Sequence, residues 1–147
     1  MAFGPNPPRI QAHICVKGAA AALAFYERAF GTETTFKHMA DDGQRILHAN
    51  LSVFGGEVML HDEFPEFGGD ILSPVSRGGA SVALSINLPT PAEVDAAMAC
   101  AERAGATITL PASDVFWGSR YGRLRDPFGH IWTFNAPLPQ QAKEPAS

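Results

Sequence analysis

One stretch of the chain occurs twice. Glu27-Arg28-Ala29-Phe30-Gly31-Thr32-Glu33-Thr34-Thr35 is echoed by Glu102-Arg103-Ala104-Gly105-Ala106-Thr107-Ile108-Thr109. Each copy reads as the last turn of a helix, a glycine that stops it, and a threonine-rich run of β propensity. Self-similarity of this kind constrains the fold more than any local preference, because a repeated unit has to bury the same apolar face twice. The chain therefore reads as two versions of one small α/β module, with a binding site expected between them. Its 147 residues, 46% of them hydrophobic, are enough for one packed core.

The first module, residues 9–62, opens with a strand over Arg9–Lys17 and a helix over Ala19–Phe30. Leu23, Tyr26 and Phe30 stand at helical spacing, and Gly31 is the stop. Strands follow over Glu33–Met39, Arg45–Val53 and Glu57–His61, turned by Asp41-Asp42-Gly43 and Gly55-Gly56. Residues 63–79 are rich in Gly, Pro and acid and read as the inter-module linker, long enough to act as a cover.

The second module, residues 80–136, repeats the order. A strand over Ser81–Leu88 precedes Thr90-Pro91-Ala92-Glu93, which has the form of a capping box with Thr90 as N-cap. The helix that follows presents Val94, Ala97, Met98, Ala101 and Ala104 on one face and ends at Gly105. Strands are expected over Thr107–Leu110, Gly122–Asp126 and Ile131–Asn135, with Trp132 and Phe134 in the core. Residues 1–8 and 137–147 read as flexible ends. The order is βαβββ twice, an α+β class.

Strand alternation sorts the side chains into two faces. Ile10, Ile14 and Val16 oppose Gln11, His13 and Cys15, while Leu47, Ala49, Leu51 and Val53 oppose His48, Asn50 and Ser52. Val82, Leu84, Ile86 and Leu88 oppose Ser81, Ala83, Ser85 and Asn87. The apolar faces cover the helices. The His, Asn, Gln and Ser faces are either a wet exterior or the lining of a half-open barrel. Phe116, Trp117, Arg120, Tyr121, Arg123 and Arg125 favour the second, since rings and guanidinium planes together stack flat or anionic ligands.

Composition excludes several classes. A net charge of −4 without a Lys/Arg run argues against nucleic acid. Membrane spans are not expected, because no apolar run approaches about 18 residues. Cys15 and Cys100 lack metal-type spacing and read as a reduced pair in a cytoplasmic protein. Neither a nucleophile elbow nor a phosphate loop is present.

Three runs carry a resemblance. Phe25-Tyr26-Glu27-Arg28-Ala29-Phe30-Gly31, the hairpin from His48-Ala49-Asn50-Leu51 to Val58-Met59-Leu60, and the segment from Trp117-Gly118-Ser119-Arg120 through Asp126-Pro127-Phe128-Gly129-His130-Ile131-Trp132 are similar to the vicinal oxygen chelate superfamily. That superfamily holds glyoxalase I, bleomycin-resistance proteins and extradiol dioxygenases. The nearest branch is the PhnB-like one, and the similarity spans Gln11–Ala136. It implies an open eight-stranded cup of paired βαβββ units, usually in a homodimer. It also implies a divalent metal held by two His and two Glu from the first and last strands of each module. Those positions fall on His13, near Met59, at about Ser81 and on Thr133, so one expected ligand survives. His13, His48 and His61 are the remaining metal candidates.

Three functions follow as expectations. One is a metal-independent binding protein for a small aromatic or anionic compound. There Arg120 or Arg125 clamps an anionic group, Trp117 and Tyr121 stack, and Gln11, His13, His48, Asn50 and Ser85 orient polar atoms. A second is a metal-dependent lyase, isomerase or dioxygenase built on His13, His48 and His61. A third is an interaction module with an empty cup.

Overall fold

The computed structural model describes residues 8–139. Of the two ends expected to be flexible, residues 1–7 and 140–147 lie outside that range. Pro137 still belongs to the last strand. The first module runs β1 (Ala12–Val16), α1 (Ala19–Phe30), β2 (Glu33–Met39), β3 (Ile46–Val53) and β4 (Gly56–Asp62). Between the modules the linker forms a 3-10 turn at Pro65–Phe67 and one helical turn, α2 (Pro74–Arg77). The second module runs β5 (Ala83–Asn87), α3 (Pro91–Ala104), β6 (Thr107–Val115), β7 (Ser119–Arg125) and β8 (Ile131–Pro137).

Each module builds a four-stranded mixed sheet, in the orders β1-β4-β3-β2 and β5-β8-β7-β6. The first strand of each runs parallel to the last, and the remaining pairs are antiparallel. This is the βαβββ duplication expected from the repeat.

The two long helices start by different means. At α3 the Thr90 hydroxyl accepts from the Glu93 amide at 3.3 Å and donates to the Glu93 carboxylate at 2.8 Å. That is a local cap with a returning side chain. No side chain caps α1 from its own neighbourhood, because its N-cap is Gly18, at φ 99°. Asp62, at the far end of β4, accepts instead from the Gly18 and Ala19 amides at 2.9 and 2.8 Å. Its second oxygen accepts from the Ile46 amide at 2.8 Å, tying helix, β3 and β4 together. A carboxylate at this end also suits the helix dipole.

One core serves both modules. Phe30 and Tyr26 of α1 lie 4.7 and 5.6 Å, ring to ring, from Trp132 of β8. Beneath them the buried Asp126 carboxylate accepts from the Tyr26 hydroxyl at 2.5 Å and the Trp132 indole at 2.8 Å. It accepts also from the amides of Phe128 and His130 at 2.8 and 3.0 Å. Burial and this neighbouring carboxylate push the Tyr26 phenol well above its ordinary pKa, so it stays a donor.

Some expectations are corrected. Alternation assigns Ile10 and Val82 to apolar strand faces, but they precede β1 and β5 and are 91% and 68% exposed. The sixth strand continues past Pro111 to Val115, with two register shifts against β7. It is an edge strand, where a missing amide and a bulge cost little. The next strand begins at Ser119 rather than Gly122. Cys15 and Cys100 are both free thiols. Among the described residues, no helix is long and apolar enough to cross a membrane.

Candidate functional site

Register decides which polar side chains share the helix-free face of the first sheet. His13 stands opposite Met59 and Cys15 opposite His61, while Asn50 pairs with Met59 and Ser52 with Glu57. Opposite residues point the same way, so His13, His48, Asn50, Glu57 and His61 lie on one side. Ile14, Leu51 and Leu60 fill the core on the other. Glu57 organises the patch by accepting from Gln11 Nε2 at 2.7 Å and from the buried Asn50 Nδ2 at 3.4 Å. His48 Nε2 donates to Asn50 Oδ1 at 2.6 Å, and His61 Nδ1 donates to the Asp62 carbonyl at 2.6 Å.

The His13 ring sits edge-on to His61 at 4.7 Å and to His48 at 5.5 Å. Burial lowers its pKa, and the two neighbouring imidazoles lower it further. At neutral pH the ring is therefore uncharged, able to accept and donate one hydrogen bond. Below the ordinary value of 6.5 the unfolded chain takes up this proton and the folded chain resists it, so stability falls as pH drops through that range. We expect His13→Gln to lose less thermal stability than the parent between about pH 7.5 and about pH 5. Equal losses in melts followed by circular dichroism would contradict the cluster.

The second sheet carries a separate patch. On β7, Tyr121, Arg123 and Arg125 face one way, opposite Asn135, Thr133 and Ile131 of β8. Thr133 donates to Ser85 at 2.9 Å. Thr109, Tyr121, Arg123 and Thr133 line a hollow of about 390 Å³. The Arg123 guanidinium reaches the Tyr121 hydroxyl at 3.3 Å and stands 5.9 Å from its ring centre. Trp117, in the β6–β7 turn, meets Tyr121 edge-on at 5.5 Å and is 52% exposed.

Arg120 does not join them. Its guanidinium turns to the helix side, donating to Asp95 of α3 at 2.8 Å and to Asp114 of β6 at 3.1 Å. Two carboxylates satisfy it there, so it does not share the open face with Arg123 and Arg125. The structure thus gathers Gln11, His13, His48 and Asn50 on one sheet, and Ser85, Tyr121 and Arg125 on the other. Arg123, expected within the aromatic and arginine cluster, stands beside Tyr121, and Glu57 joins the first patch although it is not among the expected site residues. Strand alternation carries a signal for both, since Glu57 is in phase with His61, and Arg123 with Tyr121 and Arg125.

The metal implied by the resemblance depends on the donors present. The pairs facing each other across β1–β4 and β5–β8 are His13 with Met59 and Ser85 with Thr133. Ser81, the position matched to a ligand by the resemblance, precedes β5. One imidazole, a thioether and two hydroxyls bonded to each other do not match two His and two Glu. His48 and His61 each already direct one ring nitrogen at a protein oxygen. Among the described residues, no group of three or more His, Cys, Asp and Glu is arranged to hold a metal ion. The residues present do not fit the implied centre.

Comparison with known proteins agrees with this architecture. An uncharacterized Mycobacterium bovis protein, Mb0911c, is 38% identical over 132 residues, covering 89% of this chain and 84% of its own. The crystal structure of TioX from Micromonospora sp. ML1 superposes with a TM-score of 0.65 at 25% identity, covering 93% of this chain and all of that one. The PhnB protein of Bacillus cereus superposes with a TM-score of 0.65 at 20% identity over 90% of this chain and 100% of its own, a likeness of fold. A family profile matches residues 9–134, nearly the whole described chain. With its duplicated βαβββ sheets, the chain belongs to the Glyoxalase/Bleomycin resistance protein/Dioxygenase superfamily.

Proposed function

We propose that this protein binds a small aromatic anion on its second sheet, as a member of the PhnB-like branch, and does so without a divalent metal. The observation that carries the reading is the convergence of Tyr121, Arg123 and Thr133 on one hollow. The ring supplies a stacking surface, the guanidinium a two-pronged donor for a carboxylate, and the Thr133 hydroxyl, held by Ser85, a polar floor. Trp117 extends the aromatic wall. Likeness of fold to the PhnB protein supports the branch. In this reading the protein acts as a homodimer, and its two free thiols suit the cytoplasm.

Calorimetric titration with benzoate and salicylate tests the reading. Loss of one charge-assisted contact corresponds to about tenfold weaker binding in Arg123→Ala. Arg120→Ala, on the far side of the sheet, is expected to bind as the parent does. Failure of any aromatic anion to bind would end the proposal.

A second reading, a metal enzyme, draws on the closeness of the His13, His48 and His61 rings. Stoichiometric metal in protein purified without chelator, lost in His13→Ala, would replace the first reading with this one.

A further inference from the structure

A larger cavity, of about 530 Å³, lies between β1 and the segment that leads into β5. It shares only residues 80–82 with the arginine hollow. Ile14 and Leu84 form part of its wall, and the linker forms another part through Ile71, Leu72 and Pro74. Residues 70–77 thus make a strap across the junction of the modules. Glycine pairs bracket the strap, Gly68-Gly69 at φ 124° and 72° and Gly78-Gly79 at φ 88° and 152°. Such backbone favours glycine.

The strap is already folded. Ser73 donates through its amide and its hydroxyl to the Glu63 carboxylate, and Arg77 Nη2 donates to the carbonyls of Gly69 and Asp70 at 3.2 and 2.8 Å. The Cys15 thiol donates to the Ile71 carbonyl at 3.7 Å, and His130 Nε2 to the Cys15 carbonyl at 2.7 Å. Cys15, Arg77 and His130 of the wall are thereby engaged with other protein groups. Asp70 and Arg77, the two charged residues of the lining, carry opposite formal charges. Apolar surface remains open around them, Ile71 being 56% and Val82 68% exposed. A largely apolar wall with no net formal charge favours an apolar, uncharged ligand over a charged one.

We propose that the seam cavity under the strap is a second binding site, distinct from the arginine hollow, for an uncharged and largely apolar small molecule with one polar group directed to His13. Binding covers Ile71 and Val82 and tightens the strap over the ligand.

The probe is N-phenyl-1-naphthylamine, a neutral dye whose emission rises in apolar surroundings. The parent protein is expected to brighten it saturably, and saturating benzoate is expected to leave the signal in place. Ile71→Glu puts a charge into the strap at an exposed position, so the fold should tolerate it. Leu84→Trp fills the cavity from the β5 side. Each is expected to weaken dye binding about tenfold or more, in line with the removal of one apolar anchor or its space. No brightening by the parent, unchanged binding in Ile71→Glu, or stronger binding of the anionic 1-anilinonaphthalene-8-sulfonate would overturn the proposal. Displacement of the dye by benzoate would merge the two sites and overturn it as well. Absence of benzoate binding alone would sink the arginine-hollow reading and leave this one standing.

Discussion

Asp126→Ala is expected to cost about 4 kcal/mol or more in urea unfolding, because its carboxylate serves four donors at once. Those stranded by its removal are the Tyr26 hydroxyl, the Trp132 indole and the amides of Phe128 and His130. Each buried donor left without a partner costs about 1–3 kcal/mol. Total stability for a domain of this size is about 5–15 kcal/mol, so the variant sits near the edge of folding. Asp126→Asn keeps one acceptor oxygen and is expected to lose about half as much. A midpoint for Asp126→Ala within experimental error of the parent would show that the modules are not locked through this group. The effect belongs to tertiary structure, because Tyr26 lies in the first module and Trp132 in the second.

The next largest effect is expected at Asp62. Asp62→Ala uncaps α1 at Gly18 and Ala19 and frees the Ile46 amide, a loss of about 3 kcal/mol by the same reasoning. Hydrogen exchange separates this from a general loosening. The amides of the first turn of α1 should lose protection first, while those of α3, capped by its own Thr90, keep theirs relative to the global limit. Uniform loss across both helices would contradict a dedicated cap.

These two carboxylates mark where a linear reading stops. The start of α3 is legible because its cap lies three residues from its partner: Thr90 and Glu93 announce themselves in the chain. The start of α1 is legible too, yet what satisfies it is not, since Asp62 arrives from more than forty residues away. Arg120 shows a subtler failure. Alternation puts it out of phase with Tyr121, Arg123 and Arg125, but a strand expected to begin at Gly122 leaves Arg120 in the preceding loop, where no phase applies. With β7 starting at Ser119, the same rule sends Arg120 to the helix side and Arg123 to the open face. The linker is recognisable as too long for a turn, while its fold-back over the seam depends on Glu63, Ser73 and Arg77 finding partners within it.

The chain by itself determined the duplicated βαβββ order, the extent of α1 and β2, most of the faces that are apolar, and the family. Those features rest on periodicity and on short-range chemistry, which a linear string records. Only the tertiary structure decided that Asp126 joins the modules and Asp62 caps α1, where β7 begins and so which side Arg120 takes, and that a second cavity lies under the strap. Each of these depends on groups distant in sequence meeting within hydrogen-bond or contact range, and no local pattern encodes such a meeting.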